Sequence, residues 1–288
     1  MMKVHYSKIA LLSTIALATA SYGQVANERK NVAKIDLSHW TLTTPEEDTD
    51  HPGKTLDLNY PEILDFASNE ATKKYMYEDP KDKSLVFYAF PSGTSTANSH
   101  FSRSELRETM VIGDKNTNWN FAKGGRMEAT YRMQNVSKEE EGKYSKVIIA
   151  QIHGRLTDEQ QKLLGQKDNN AAPILKIYWD QGKIKVKTKV LKNPAASLKE
   201  LLPADAWVDD DGRVFKEKVD FDRFTLEVKV SDGRLEVILN NGESFVYNDV
   251  NIKKWGVFDN YFKAGNYFQS KNPGTSATVK IYALKVSH

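Results

Sequence analysis

The feature that most constrains the fold is alternation at spacing two, repeated along most of the chain. Lys183-Ile184-Lys185-Val186-Lys187-Thr188-Lys189-Val190 is the clearest case. Successive side chains of a strand point to opposite faces, so one face here carries four lysines and the other is apolar or small. Ser84 to Phe90, Arg126 to Met133, Ile174 to Trp179, Phe224 to Val230, Arg234 to Leu239, Glu243 to Tyr247 and Ala277 to Val286 also read as strands. Lys146 to Ile152 is apolar in its middle and predicts a buried strand. Turn residues punctuate the series at Pro91-Ser92-Gly93, Asp180-Gln181-Gly182, Ser231-Asp232-Gly233 and Asn240-Asn241-Gly242. Helical signals are confined to Pro61 to Phe66 and to two polar insertions near 155–172 and 193–218, where Thr157 to Leu164 and Ser197 to Leu202 are the candidates. Many strands with little helix predict an all-β fold, a two-sheet antiparallel sandwich or jelly roll. No repeat, low-complexity tract or linker divides the chain, so one domain over 35–288 is expected.

The first residues have a different character. Lys3 and Lys8 precede an apolar run from Ile9 to Ala20, and Ala18-Thr19-Ala20 or Ser21-Tyr22-Gly23 fits a cleavage site. The run falls short of the ~20 apolar residues that span a bilayer. Residues 1–23 therefore read as a secretory signal and 24–34 as a short polar leader. No later stretch is apolar enough for a membrane helix, so no membrane association is expected after cleavage. Losing the segment takes Lys plus Arg from 41 to 39 against 38 acidic residues. A nearly neutral protein lacks the basic excess of a nucleic-acid binder, so any anion site must come from local arrangement. The absence of cysteine rules out disulfides, thiolate metal sites and a cysteine nucleophile.

Three segments place chemistry on strand faces. Arg103-Ser104-Glu105-Leu106-Arg107 puts three charges on one face and Leu106 on the other. Such a ladder can be a solvated face. It can also be a site in which Glu105 braces both arginines and leaves a planar guanidinium fork for a substrate carboxylate. Gln151-Ile152-His153 pairs an amide with an imidazole. No second histidine or acid stands at ligand spacing, so no metal is expected there. Asp209-Asp210-Asp211-Gly212 lacks the alternation of a calcium loop and reads as a solvated turn. Tyr261, Lys263 and Tyr267 share a face, Gly265 permits close approach, and Gln269 continues the row. A cation near a phenol lowers its pKa and makes tyrosine a plausible proton shuttle. The Lys183 to Lys189 row is open to two readings, a lysine-protected edge strand and a polyanion-binding strip.

Arg103-Ser104-Glu105-Leu106-Arg107, Gln151-Ile152-His153 and Tyr261-Phe262-Lys263-Ala264-Gly265-Asn266-Tyr267-Phe268-Gln269 together resemble the three signature blocks of the alginate lyases of polysaccharide lyase family 7, in that family's order. The resemblance implies a β-jelly roll whose concave sheet forms the substrate groove. It implies alginate as the partner, β-elimination as the reaction, and secretion or periplasmic export by a bacterium. By position, Arg103, Gln151, His153 and Tyr267 match the family's catalytic four, and Glu105, Arg107, Tyr261 and Lys263 its groove-lining positions. Gln269 is added as a substrate contact. Ile152 within the second block gives a lean toward guluronate-containing substrate. No cofactor or metal is implied, and a monomer is expected. The rivals are a jelly-roll glycoside hydrolase, a carbohydrate-binding sandwich without activity, and a lyase for another polyuronate. Hydrolysis normally needs two carboxylic acids, and Glu105 is the only acid in the three blocks.

Overall fold

The computed structural model describes residues 32–96 and 99–288. The expected signal segment and most of the expected leader lie outside the described residues. Within the leader's last residues, Ala33 is buried and its N–H donates to Glu78 Oε1 at 3.0 Å.

The strands run β1 (Trp40–Glu47), β2 (Thr55–Leu58), β3 (Met76–Asp79), β4 (Ser84–Ala89), β5 (Arg103–Glu108), β6 (Trp119–Asn120), β7 (Gly125–Val136) and β8 (Val147–Arg155). They continue as β9 (Asn170–Asp180), β10 (Lys183–Leu191), β11 (Trp207–Asp209), β12 (Arg213–Lys218), β13 (Phe224–Ser231), β14 (Arg234–Leu239), β15 (Ser244–Tyr247), β16 (Asp259–Phe268) and β17 (Ala277–Ser287). Three short helices, α1 (Asp158–Leu164), α2 (Leu198–Leu201) and α3 (Val250–Trp255), lie between them.

The strands form two antiparallel sheets. One has the order β11-β10-β9-β8-β16-β5-β1-β2, with β12 added on β10 and β6 on β16. The other has the order β15-β14-β13-β7-β17-β4-β3. Their facing sides close on one core. Leu42, Leu106, Ile152, Ile177, Ile184 and Phe262 come from the first sheet, and Phe87, Tyr131, Met133, Val228, Val237 and Val279 from the second. Each fully buried aliphatic or aromatic side chain contributes roughly 1.5–3 kcal/mol by leaving water. The expected two-sheet jelly roll is therefore present, and alternation explains it: apolar residues of each strand meet in the middle, and the intervening residues face outward.

The lysine strand is not an edge. β11 and β12 both pair with β10, which removes the edge-strand reading. Its lysines face the side of the sheet opposite to Ile184 and Val186, and Lys187 stands directly across from Lys176 on β9.

The helices fall close to the expected places. Thr157 caps α1 in a reciprocal box with Gln160, and Gly165 ends it in the left-handed region at φ 64°. The Pro61 to Phe66 candidate is a single 3-10 turn over Glu62–Asp65. α3 was not expected. Asp249 caps it by accepting from the N–H groups of Asn251 and Ile252, and its Trp255 is fully buried.

Candidate active site

β16 lies between β8 and β5, and this order brings the three sequence blocks together. Tyr261 stands opposite His153, and Lys263 opposite both Gln151 and Arg107. Gly265 stands opposite Glu105, and Tyr267 opposite Arg103. All these side chains therefore rise from one face of three adjacent strands.

Gly265 makes the spacing possible. Its φ is +142°, and a Cβ there would lie 2.7 Å from the Ser104 carbonyl oxygen and 2.9 Å from Glu105 Cα. Only glycine lets β16 approach β5 so closely. The β16–β8 ladder shifts register between Ala264 and Tyr267, and the β8–β9 ladder between Ile148 and Ala150. These irregularities bring Ile148 to the groove side beside Tyr267.

Glu105 is the electrostatic centre. It is fully buried and pairs with Lys263 Nζ at 2.5 Å and Arg103 Nη1 at 3.0 Å. Gln151 Nε2 donates to its other oxygen at 2.6 Å. Burial alone raises the Glu105 carboxyl, but the charges of Lys263 and Arg103 outweigh it and hold the pKa below the ordinary glutamate value. The expected brace is thus real for Arg103 only. Arg107 instead donates to the Lys115 carbonyl at 2.8 Å and stacks its guanidinium 4.0 Å from the Tyr261 ring centre. Glu105's second cation is Lys263.

That pairing also corrects the expected effect of Lys263 on a phenol. Its ammonium is bonded to Glu105, and burial raises the Tyr261 phenol, with Arg107 opposing. Burial, then the Arg103 charge, pushes Lys263 itself down to about 8 while Glu105 opposes.

His153 is neutral. Burial, then the charge of Lys263, pushes its pKa down to about 3. Nδ1 sits 3.0 Å from the Gly154 carbonyl oxygen. A carbonyl only accepts, so Nδ1 carries the proton and Nε2 keeps its lone pair. The ring stacks on Tyr261 with centroids 5.3 Å apart.

Tyr267 is held from two sides. The Arg103 guanidinium lies 3.7 Å from its ring centre, and Phe101 meets it edge-on with centroids 6.3 Å apart. Its hydroxyl has no hydrogen bond to protein among the described residues, and the ring lines the groove. Gln269 lines it too and donates to the Tyr267 carbonyl at 3.1 Å.

Arg103, Arg107, Gln151, His153, Tyr261, Lys263, Tyr267 and Gln269 all border one groove of about 580 Å³, with Glu105 beneath its floor. The groove also takes in residues that sequence reasoning missed. Lys176 and Tyr178 line it from β9, beside Lys189 of the lysine row already singled out in the sequence. Their signal was the alternation itself, which puts Lys176 and Tyr178 on one strand face. Arg155 and Asn170 come from the ends of the first polar insertion, and His100 and Phe101 from the loop before β5.

The acidic run in the second insertion is not a solvated turn. Asp209 accepts from Lys176 at 2.5 Å and lies 2.7 Å from Lys189. Asp210 accepts from the N–H and hydroxyl of Thr188 at 3.0 and 3.1 Å. Among the described residues no group of three or more His, Asp or Glu side chains is arranged to hold a metal ion.

The arrangement has donors for a carboxylate, a neutral imidazole with a lone pair, and a phenol, all in one polar groove. A family model described as alginate lyase matches residues 35–288. The crystal structure of alginate lyase A1-II', a member of polysaccharide lyase family 7, is 29% identical with a TM-score of 0.69, covering 90% of this chain and 98% of that one. A doubly substituted form of the same enzyme, in complex with a substrate written GGMG, is 28% identical with a TM-score of 0.68, covering 89% and 95%. An alginate lyase from Pseudomonas aeruginosa is 26% identical with a TM-score of 0.63, covering 88% and 99%. The search among curated proteins finds no match. With the family model matched across the whole packed domain and the same fold in these enzymes, the chain belongs to the alginate lyases of polysaccharide lyase family 7.

Proposed function

We propose that this protein cleaves the 1,4-linkages of alginate by β-elimination, with Arg103, Gln151, His153 and Tyr267 as catalytic residues. The observation that carries the reading is the convergence of these four side chains on one groove, organised by the buried Glu105. In the reaction the C5–H bond of a uronate breaks and its electron pair forms the C4=C5 double bond. The C4–O bond breaks, and the departing oxygen takes a proton. The products are a shortened chain and a chain with an unsaturated uronate at its new non-reducing end.

The C5 proton is weakly acidic while the adjacent carboxylate is charged. Arg103 neutralises that carboxylate through its guanidinium, and the second N–H of the Gln151 amide adds a donor. Glu105 fixes both groups in place, so they need no reorganisation when charge develops. Tyr267 removes the C5 proton and returns one to the leaving oxygen. The neutral His153 offers an acceptor, because its Nε2 lone pair is the available one. It therefore serves as the base where the proton and the leaving oxygen lie on opposite ring faces, as in guluronate. The complex of the related enzyme with GGMG supports an alginate oligosaccharide as ligand, and the lean toward guluronate-containing substrate rests on the family resemblance of the Gln151-Ile152-His153 block.

Lys263, Arg107, Tyr261 and Gln269 line the path of the polymer. Among the described residues no helix is long and apolar enough to cross a membrane. The signal-like residues 1–23 support action outside the cytoplasm of a bacterium, and a groove complete within one chain supports action as a monomer. The experiment is an ultraviolet assay for unsaturated ends on alginate, polyguluronate and polymannuronate without added metal. A lyase gives new absorbance. A hydrolase gives new reducing ends without it, and a binding module gives neither.

A further inference from the structure

Three lysines stand close together at the β9–β10 side of the groove, starting one strand out from the proposed catalytic residues, where Lys176 pairs across the β8–β9 ladder with Gln151. Lys176 and Lys189 are 16% and 13% exposed, and both border the groove. Lys187 faces Lys176 directly across the ladder and has no ion pair among the described residues. Ammonium groups this near one another repel and resist burial. One carboxylate prevents it. Asp209, brought in by β11 as the cross-strand partner of Lys189, takes Lys176 on one oxygen and Lys189 on the other. Its Oδ1 is inaccessible to solvent. The local charge from these four side chains remains +2.

The geometry points to a carboxylate-binding subsite made by Lys176 and Lys189, with Asp209 as its positioning residue; this rests on the alginate lyase reading above. Two ammonium groups bridged by one carboxylate are spaced to be bridged by a second. Each ammonium has three donors; Lys176 gives one to Asp209 and Lys189 is ion-paired to it at 2.7 Å, so donors remain for a ligand in the groove. The ligand is a uronate carboxylate of the substrate chain, beyond the unit undergoing elimination. Tyr178, on the same face of β9, lines the wall beside it. Because Asp209 comes from the second polar insertion, that insertion sets how far along the polymer the protein holds on.

The test is a set of single substitutions, Lys189→Met, Asp209→Asn and, as a control, Lys199→Met, which removes a charge from the exposed face of α2. Each is assayed for KM and kcat on alginate polymer and on the shortest oligomer that wild type cleaves, with a melting curve. Lys189→Met is expected to raise KM on polymer by roughly 5-fold, leave kcat near wild type, and flatten the dependence of KM on salt. Asp209→Asn keeps the shape but not the charge, and is expected to raise KM on polymer in the same direction. Both effects should shrink on the shortest oligomer, and Lys199→Met should show neither. A lower KM in Asp209→Asn would mean that Asp209 merely competes with substrate, and would overturn the positioning role. An unchanged KM in Lys189→Met, or equal losses on polymer and oligomer, would overturn the subsite. Absence of wild-type activity on every alginate would instead count against the lyase reading itself.

Discussion

Arg103 and Tyr267 are cross-strand partners, and the guanidinium of one covers the ring of the other at 3.7 Å. The same guanidinium is anchored through Nη1 to Glu105, while its Nε is buried with no protein partner. One side chain thus joins the buried carboxylate, the substrate's expected carboxylate and the phenol assigned to proton transfer.

Removing it should be costly in the transition state. Arg103→Ala is expected to lower kcat/KM by about 2.7–4 kcal/mol, the range for loss of a preorganised donor. Arg103→Lys should recover little, because an ammonium cannot present the planar fork or cover the ring. Steady-state kinetics on alginate check this, and near-normal turnover in Arg103→Lys would show that charge alone suffices.

Gly265 sets the distance between β5 and β16. Gly265→Ala would place a Cβ against the Ser104 carbonyl, a backbone atom that cannot swing aside, at a φ of +142°. A loss of at least ~1–3 kcal/mol in unfolding free energy is expected. Urea unfolding measures it, and an unchanged midpoint would contradict the close-approach role.

Lys263 should give the binding step an alkaline limb. Its pKa is lowered to about 8, so its charge is present below that pH and lost above it. Loss of the charge weakens the positive field over the groove and leaves Glu105 with Arg103 as its only cation. KM for alginate is therefore expected to rise as pH passes about 8. A KM that stays flat across that range would place the Lys263 titration elsewhere.

Much of this architecture was legible in the sequence, because strand alternation and turn residues are local signals. Lys183 to Val190 and its Asp180-Gln181-Gly182 turn have the expected ends to within a residue. β1 is buried along its first six residues and so shows no alternation, β2, β3 and β11 have four residues or fewer, and α3 is too short to show a helical period. The groove residues of the three blocks were readable because each block sits on one strand. Their pairing was not. Glu105 meets Lys263 rather than Arg107 because strand order, which is non-local, places β16 against β5. Asp209 was missed for the same reason, since its partners lie 33 and 20 residues earlier in the sequence and meet it only through the sheet.

The central claim is that Tyr267 carries the proton in a lyase reaction. Its most direct test compares two chemically identical changes six residues apart on β16, read by the appearance of unsaturated ends. Tyr267→Phe keeps the ring, its stacking on Arg103 and the melting temperature, and is expected to cut turnover at least ~100-fold with binding largely retained. Tyr261→Phe should be much milder, because that phenol lines the groove beside His153 and Arg107. An inactive Tyr261→Phe beside an active Tyr267→Phe would contradict the assignment.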